Sequence, residues 1–107
     1  MAAQLLPQIS AFEAQAAANG FLIEHLPDRY GAYEPRLEAS GQVWRVAVLM
    51  TYPVVGSIGE VGEIRVSAFT AAVMSFTPPE EMRWRGRLLY DKHHATLEAA
   101  FLSARNA

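Results

Sequence analysis

The stretch VWRVAVLMTY, residues 43–52, carries the strongest strand signal in the chain. It is rich in β-branched and aromatic residues and is long enough to cross a small domain. Alternate positions would lie on opposite faces: Trp44, Val46 and Val48 on one, and Val43, Arg45, Ala47 and Leu49 on the other. Because most of both faces is apolar, we expect a central strand covered on both sides. Helices would cover one side, and a partner subunit is a candidate for the other.

Three weaker segments predict the other strands of an antiparallel sheet. Residues 36–39 favour a short strand. Pro53 ends the central strand, since proline cannot donate to a sheet ladder, and residues 54–59 are expected to form a loop. Residues 60–67 resume strand alternation, and residues 72–76 would return beside them as a hairpin. The alternation assigns Val61, Glu63, Arg65 and Ser67 to one face, and Ile64 and Val66 to the other.

A helical region is predicted before the sheet. Residues 7–18 are rich in Ala and Gln, and Ser10 to Glu13 has the form of a capping box, so the regular helix would start at Ser10. Asn19-Gly20 is a C-terminal stop signal, after which residues 21–26 favour one or two further helical turns. The alternative is one continuous helix bent at Gly20.

The last element is a long helix. Thr77-Pro78-Pro79-Glu80 has the form of a capping box with prolines at the first helical positions, and Glu81 adds to the negative charge of the first turn. The helix is expected from Pro78 to about Ser103. The predicted fold class is therefore α+β, an antiparallel sheet of three to four strands with an N-terminal helical region and a long C-terminal helix. We expect residues 1–107 to form a single domain.

The C-terminal helix carries two apolar stripes at about 100° per residue. The first contains Met82, Leu89, Leu97 and Ala100, with His93 among them and Gly86 on the same side. Gly86 is expected to permit a close approach, because a helix-interior glycine needs a packing reason. The second stripe consists of Trp84, Leu88, Ala95, Ala99 and Leu102. A surface helix usually shows one stripe, so the second predicts an interface, covered either by the N-terminal helix or by another copy of the chain.

Composition excludes several classes of function. The chain has 107 residues, of which 51% are hydrophobic and 19% charged, which suits one folded domain. A formal net charge of -2 argues against a general nucleic-acid or anionic-membrane binder. The absence of cysteine excludes disulfides, thiolate zinc sites and a cysteine nucleophile. Without a long apolar run or a signal-peptide pattern, we expect no membrane partner and a cytoplasmic location.

The reactive-looking residues do not assemble a known catalytic or cofactor motif. His93 and His94 point about 100° apart on a helix and cannot share a metal in the usual i, i+4 manner. His94 and Glu98 have the spacing of a helix-surface contact. The glycines of residues 56–62 lack the lysine and the following helix of a phosphate loop. We therefore expect no metal site, no cofactor and no catalytic residues.

An alternative hypothesis for function includes a ligand-binding site. In it the chain is a small ligand-binding protein or enzyme with a pocket near Trp44, Trp84 and His93. The candidate ligand-binding residues are Trp44, Tyr52, Arg85, His93 and His94. Arginines around Trp84 would suit a small anion or an acidic peptide, although a solvated helix face explains them as well.

Residues 62–74 resemble a PepSY-type hairpin. Gly62 to Val66 matches the first strand of that family, and Ala68, Thr70 and Val73 match positions in and after its turn. Ser67 stands where the family has Asp, and Ala71 stands where it has a Gly that supplies a left-handed conformation. The layout also resembles small bacterial α+β domains. The resemblance implies a binding or regulatory module rather than an enzyme.

These observations lead to one preferred hypothesis for function. The chain is predicted to be a small non-catalytic interaction or regulatory module that acts as a homodimer or with a protein partner. The two-striped helix, the doubly apolar central strand and the missing catalytic set all favour it. The predicted interface is the second stripe.

Overall fold

A computed structural model describes residues 6–105. The chain forms helix α1 (Ala11–His25), strands β1 (Tyr30–Leu37), β2 (Val43–Tyr52), β3 (Gly56–Ser67) and β4 (Val73–Phe76), and helix α2 (Pro79–Arg105). The strands form one antiparallel sheet in the order β1-β2-β3-β4. The predicted α+β class, with helices before and after an antiparallel sheet, is confirmed.

Both helices pack on the same face of the sheet. The core between them contains Ala14, Ala18 and Leu22 of α1, Met82 of α2, and Val46, Val48, Ile64 and Val66 of the central strands. No helix within residues 6–105 lies on the opposite face of β2, where Arg45 is exposed and Ala47 and Leu49 are half-buried. Helices therefore cover one face of β2, as expected. Cover of the other face by a partner stays a prediction.

Helix α1 is continuous through Gly20. The capping box predicted at its start is present, because the Ser10 hydroxyl accepts the Glu13 N–H and the Glu13 carboxylate accepts the Ser10 N–H. Asn19-Gly20 does not stop the helix, which ends at His25. The Asn19 side chain instead binds the sheet, because its Oδ1 accepts a hydrogen bond from the Ala32 N–H over 2.9 Å.

Strand β1 begins six residues before the predicted short strand at 36–39. Its first half pairs with β2, with Tyr30 opposite Met50 and Ala32 opposite Val48. A register shift follows around Glu34, whose φ of 54° lies in the left-handed region. Pro35 is accommodated there because β1 is an edge strand with a bulge.

Two side chains of α1 bind the outer edge of β1 at Ala32. Asn19 binds the N–H of Ala32, and Gln15 Nε2 donates to the Ala32 carbonyl over 2.8 Å. Both main-chain polar groups of Ala32 are therefore satisfied from within the chain.

Strand β3 corrects two predictions. It starts at Gly56, so most of the segment predicted as a loop at 54–59 is strand. A register shift opposite Val48 and Leu49 leaves Val61 as an extra residue in the ladder. This bulge turns Val61 into the core, where it is fully buried, rather than onto the face of Glu63.

Helix α2 is 27 residues long, about 40 Å at 1.5 Å per residue. It follows β4 directly, and the Thr77 hydroxyl accepts the backbone N–H of Glu63, which ties the helix start to β3. In the part of the chain described here, neither helix is long and apolar enough to cross a bilayer.

Candidate functional site

One face of α2 is held against the sheet by the first stripe. Met82 is fully buried, and Leu97 is 8% exposed. Leu89 packs over Gly59, where a Cβ would lie 2.8 Å from Leu89 Cδ2. Gly86 is buried against Tyr30 of β1, which confirms the close approach predicted for this glycine. Because these contacts hold the first stripe against the sheet, the opposite side of α2 remains available for contacts with another molecule.

The second stripe lies on the opposite side of α2 and faces solvent. Trp84 is 62% exposed, Leu88 49% and Leu102 47%, and the two alanines between them are exposed as well. Exposed single apolar residues are ordinary, whereas a row of them along one helix face makes that face a candidate interaction surface.

Helix α1 does not cover the second stripe. It packs on the sheet and meets α2 near the start of α2, where Arg83 Nη1 donates to the His25 carbonyl over 3.4 Å. All five residues of the second stripe stay exposed in the presence of α1. The sequence left open whether the N-terminal helix buries this face, and the structure answers that it does not.

Each edge of the second stripe carries charges of both signs. At about 100° per residue, Arg87, Asp91 and Glu98 follow one edge, and Glu81, Arg85 and Lys92 follow the other. Arg85 is paired with Glu81 at 2.7 Å, and Glu98 lies 3.6 Å from His94. Within residues 6–105, neither Asp91 nor Lys92 takes part in an ion pair. Both are exposed, so they are available to a partner.

Trp44 is a structural residue rather than part of a shared pocket. Its indole Nε1 donates to the Ile9 carbonyl over 2.9 Å, and its ring packs on the core. It lies near the start of β2, whereas Tyr52 ends that strand eight residues later, about 26 Å along an extended chain. Trp84 is exposed on the far side of α2. The proposed ligand pocket near Trp44, Trp84 and His93 is therefore not assembled in this chain.

Tyr52 and His94 are connected through Tyr90. The Tyr52 and Tyr90 rings are 6.3 Å apart, Tyr90 meets His94 edge-on at 5.4 Å, and the Arg29 guanidinium lies 4.9 Å from the Tyr52 ring. Burial raises the pKa of the Tyr52 hydroxyl above its ordinary value. This aromatic row packs α2 beside the end of β2.

The other candidate residues have structural partners. Arg85 pairs with Glu81 and also points Nη1 at the Val61 carbonyl over 3.5 Å. His93 is half-buried in the first stripe, and His94 makes the surface contact with Glu98 expected from its spacing. Among residues 6–105, no three His, Asp or Glu side chains are grouped to hold a metal ion.

The open face of the sheet contains a shallow hollow of about 700 Å³. Most of the charged side chains that line it are paired: Arg45 binds Glu63 at 2.8 Å, and the lining residue Glu38 accepts two hydrogen bonds from Arg65 at 2.8 and 3.0 Å. The bonds from Arg65 hold the pKa of the Glu38 carboxyl below its usual range. This network ties together β2, β3 and the β1–β2 turn, and its paired charges favour a structural role over ligand binding.

Comparison with known proteins adds no assignment. No family model matches the chain, and neither the curated proteins nor the solved structures include a match.

The sequence signalled the second stripe but not its charged edges. The seven-residue spacing of Leu88, Ala95 and Leu102 would have drawn attention to Asp91 and Lys92 beside it. The ion network of Glu38, Arg45, Glu63 and Arg65 depends on strand register, which no local pattern in those segments specifies.

Proposed function

We propose that this protein is a small non-catalytic interaction module that acts as a homodimer through the second stripe of α2. The observation that carries the proposal is the exposure of Trp84, Leu88 and Leu102 on the side of the helix turned away from the sheet. Their alignment on a rigid helix anchored by the first stripe provides a preformed surface, so little ordering cost opposes association.

A symmetric dimer suits such a surface because one patch can bury itself against its own copy. The candidate ligand residues lie on separate parts of the fold and have structural partners, which favours this function over a ligand-binding or catalytic one. A different protein with an apolar groove would fit the same face. If the native chain is a monomer, a different protein of this kind becomes the expected partner.

The free energy that Leu88 contributes to dimerisation is estimated from the exposed fraction of its side chain. Fully burying a leucine side chain contributes about 1.5–3 kcal/mol. Leu88 is 49% exposed, so about half of that, near 1 kcal/mol, is left for an interface. Two copies contribute about 2 kcal/mol, which corresponds to about 30-fold in the dissociation constant. A glutamate at this position adds the cost of burying a carboxylate.

The test is light scattering over a range of micromolar concentrations. The native protein is expected at twice the chain mass of 11.8 kDa. Leu88→Glu should shift the protein to the monomer while leaving its circular dichroism unchanged, because Leu88 lies outside the core.

The matched control is Met74→Glu, which places the same charge on an apolar residue that is 57% exposed on β4. This variant should remain dimeric. A native monomer would refute the homodimer. A dimer that survives Leu88→Glu but dissociates with Met74→Glu would move the interface from α2 to the sheet edge.

A further inference from the structure

The Asn19-Gly20 pair in α1 is not explained by the packing of this chain. A glycine inside a helix is less favourable than alanine, so it usually has a packing reason, as Gly86 has in its contact with Tyr30. Within residues 6–105, Gly20 has no such contact, because it is exposed and a Cβ built on it has no atom within 4 Å. The chemistry of the Asn-Gly pair offers a different reason to consider it.

An asparagine followed by glycine can react with its own main chain. The Gly20 nitrogen attacks Cγ of Asn19, and the new N–Cγ bond closes a succinimide ring. The Cγ–Nδ2 bond breaks, and Nδ2 leaves as ammonia with the proton that the Gly20 nitrogen loses. Glycine favours this attack, because it has no side chain to obstruct the approach and leaves the main chain free to turn.

Water then opens the ring at one of its two carbonyl carbons. Attack at Cγ gives an aspartate and leaves the main chain unchanged. Attack at the main-chain carbonyl carbon gives an isoaspartate, in which the main chain passes through Cβ and Cγ and is longer by one carbon atom. In both products a water oxygen replaces the amide nitrogen, so the reaction needs no oxidant or reductant.

The folded chain opposes the first step in two ways. Within α1 the Gly20 N–H is directed at the carbonyl of Ala16, four residues earlier, so the Gly20 nitrogen is not free to turn toward Cγ. The Asn19 side chain is held as well, because its Oδ1 accepts a hydrogen bond from the Ala32 N–H over 2.9 Å. Gln15, one turn earlier, binds the Ala32 carbonyl. Ring closure therefore requires α1 to leave β1 and to lose its helical turn at Gly20.

We propose that Asn19 is a site of spontaneous deamidation and that the docking of α1 on β1 controls the reaction. Chains in which α1 stays docked keep the amide, whereas chains in which α1 opens acquire aspartate or isoaspartate irreversibly. The site thereby converts a local opening of α1 into a lasting covalent change. This inference concerns the contact between α1 and β1 and does not depend on the proposed homodimer.

The isoaspartate product also changes the edge of the sheet. Aspartate keeps a carboxylate oxygen in place of Oδ1, so it still accepts the Ala32 N–H. In isoaspartate, Cγ and its oxygen belong to the main chain, and the additional carbon atom shifts the helical turn that follows. The Ala32 N–H then loses its partner, which opens this point of β1 to another strand.

Peptide mass spectrometry of the intact chain, incubated at mildly alkaline pH with and without urea, measures the reaction. We expect modification of Asn19 in the unfolded chain and a rate at least about tenfold lower in the folded chain, because only the open population reacts. Gly20→Ala should suppress the reaction in urea, since the added methyl group obstructs the attack. Equal rates with and without urea, or no product at Asn19 in urea, would overturn the proposal.

Two glutamine variants test the control by β1 without denaturant. Gln15→Ala removes the hydrogen bond to the Ala32 carbonyl and should raise the rate in the folded chain about fivefold, which is the effect of one lost hydrogen bond on the open population. Gln42→Ala is the matched control, at an exposed position between β1 and β2, and should leave the rate unchanged. Equal rates in the two variants would show that docking on β1 does not control the reaction.

Hydrogen exchange of the Ala32 amide distinguishes the two products. Asn19→Asp reproduces the aspartate product and should keep this amide protected. The isoaspartate product, isolated from the incubated chain, should lose the protection. If the amide stays protected in the isoaspartate product, the proposed release of the β1 edge is wrong.

Discussion

Gly86 and Gly20 form a pair that measures the cost of a single close contact. Both are interior glycines of helices, so replacing either by alanine gains about 1 kcal/mol of helix propensity. Gly20 has no atom within 4 Å of a built Cβ, whereas Gly86 is buried against Tyr30. The two substitutions differ only in what the new methyl group meets.

The expected magnitude follows from that contact. A Cβ at Gly86 would lie 3.1 Å from Cε1 and from Cζ of Tyr30, and nearer still to the hydroxyl. Tyr30 packs against the core and cannot withdraw freely. Overpacking of this kind costs about 1–3 kcal/mol, so Gly86→Ala should range from neutral to about 2 kcal/mol destabilised. Gly20→Ala should be stabilised by about 1 kcal/mol.

Urea and thermal unfolding monitored by circular dichroism provide the measurement. A difference of 1 kcal/mol corresponds to about 4 °C in Tm for a domain of this size. Tyr30→Phe removes the nearest contacting atom, so Gly86→Ala should be less costly in that background. If Gly86→Ala is stabilised as much as Gly20→Ala, α2 does not lie against β1 as described.

Two further predictions concern the sheet and its turn. Arg65 lowers the pKa of Glu38, so the stability that this carboxylate contributes is present above its ordinary pKa of 4.5 and is lost as pH falls through the lower folded value. Glu38→Gln should remove this contribution to the pH dependence of the free energy of unfolding, measured by unfolding curves recorded below about pH 6. If the pH dependence is the same in the variant, Glu38 is not paired with Arg65 as described. Ala71 has a φ of 63° in the β3–β4 turn, so Ala71→Gly should raise the free energy of unfolding by about 0.5–1 kcal/mol. A lower value in urea titration would show that chain entropy outweighs the relief of strain.

Local patterns were sufficient where the secondary structure has a strong signal of its own. Strand β2 matches the predicted bounds of 43–52, and α2 begins one residue after and ends two residues after the predicted 78–103. Both segments combine strong propensity with clear end signals, proline after β2 and before α2. In these segments tertiary contacts reinforce what the residues already favour.

Elements that depend on register or on an edge position were not predictable in the same way. The first half of β1 contains glycine and precedes a proline, and it becomes a strand because β2 offers a partner. The burial of Val61 results from one extra residue in β3, which reverses the face of a side chain. Such shifts arise from pairing between distant segments.

The candidate site shows the same difference between patterns within one element, which the sequence predicts, and proximity between elements, which it does not. Helical periodicity alone grouped the five residues of the second stripe, and the structure leaves all of them exposed. By contrast, Trp44, Tyr52 and Trp84 were grouped by residue type, which carries no information on distance. Proximity in a fold follows from topology, and only residues on a single element can be grouped from sequence.

The occupied edge of β1 limits how copies of this sheet can associate. Sheets that lengthen indefinitely need two free edges per molecule, one to accept a strand and one to offer the next. Here Asn19 and Gln15 already satisfy both main-chain polar groups of Ala32, so a strand arriving at this part of β1 would have to displace two side chains of α1. This cost disfavours edge-to-edge pairing at the first half of β1, which helps to protect a small apolar domain from forming fibres.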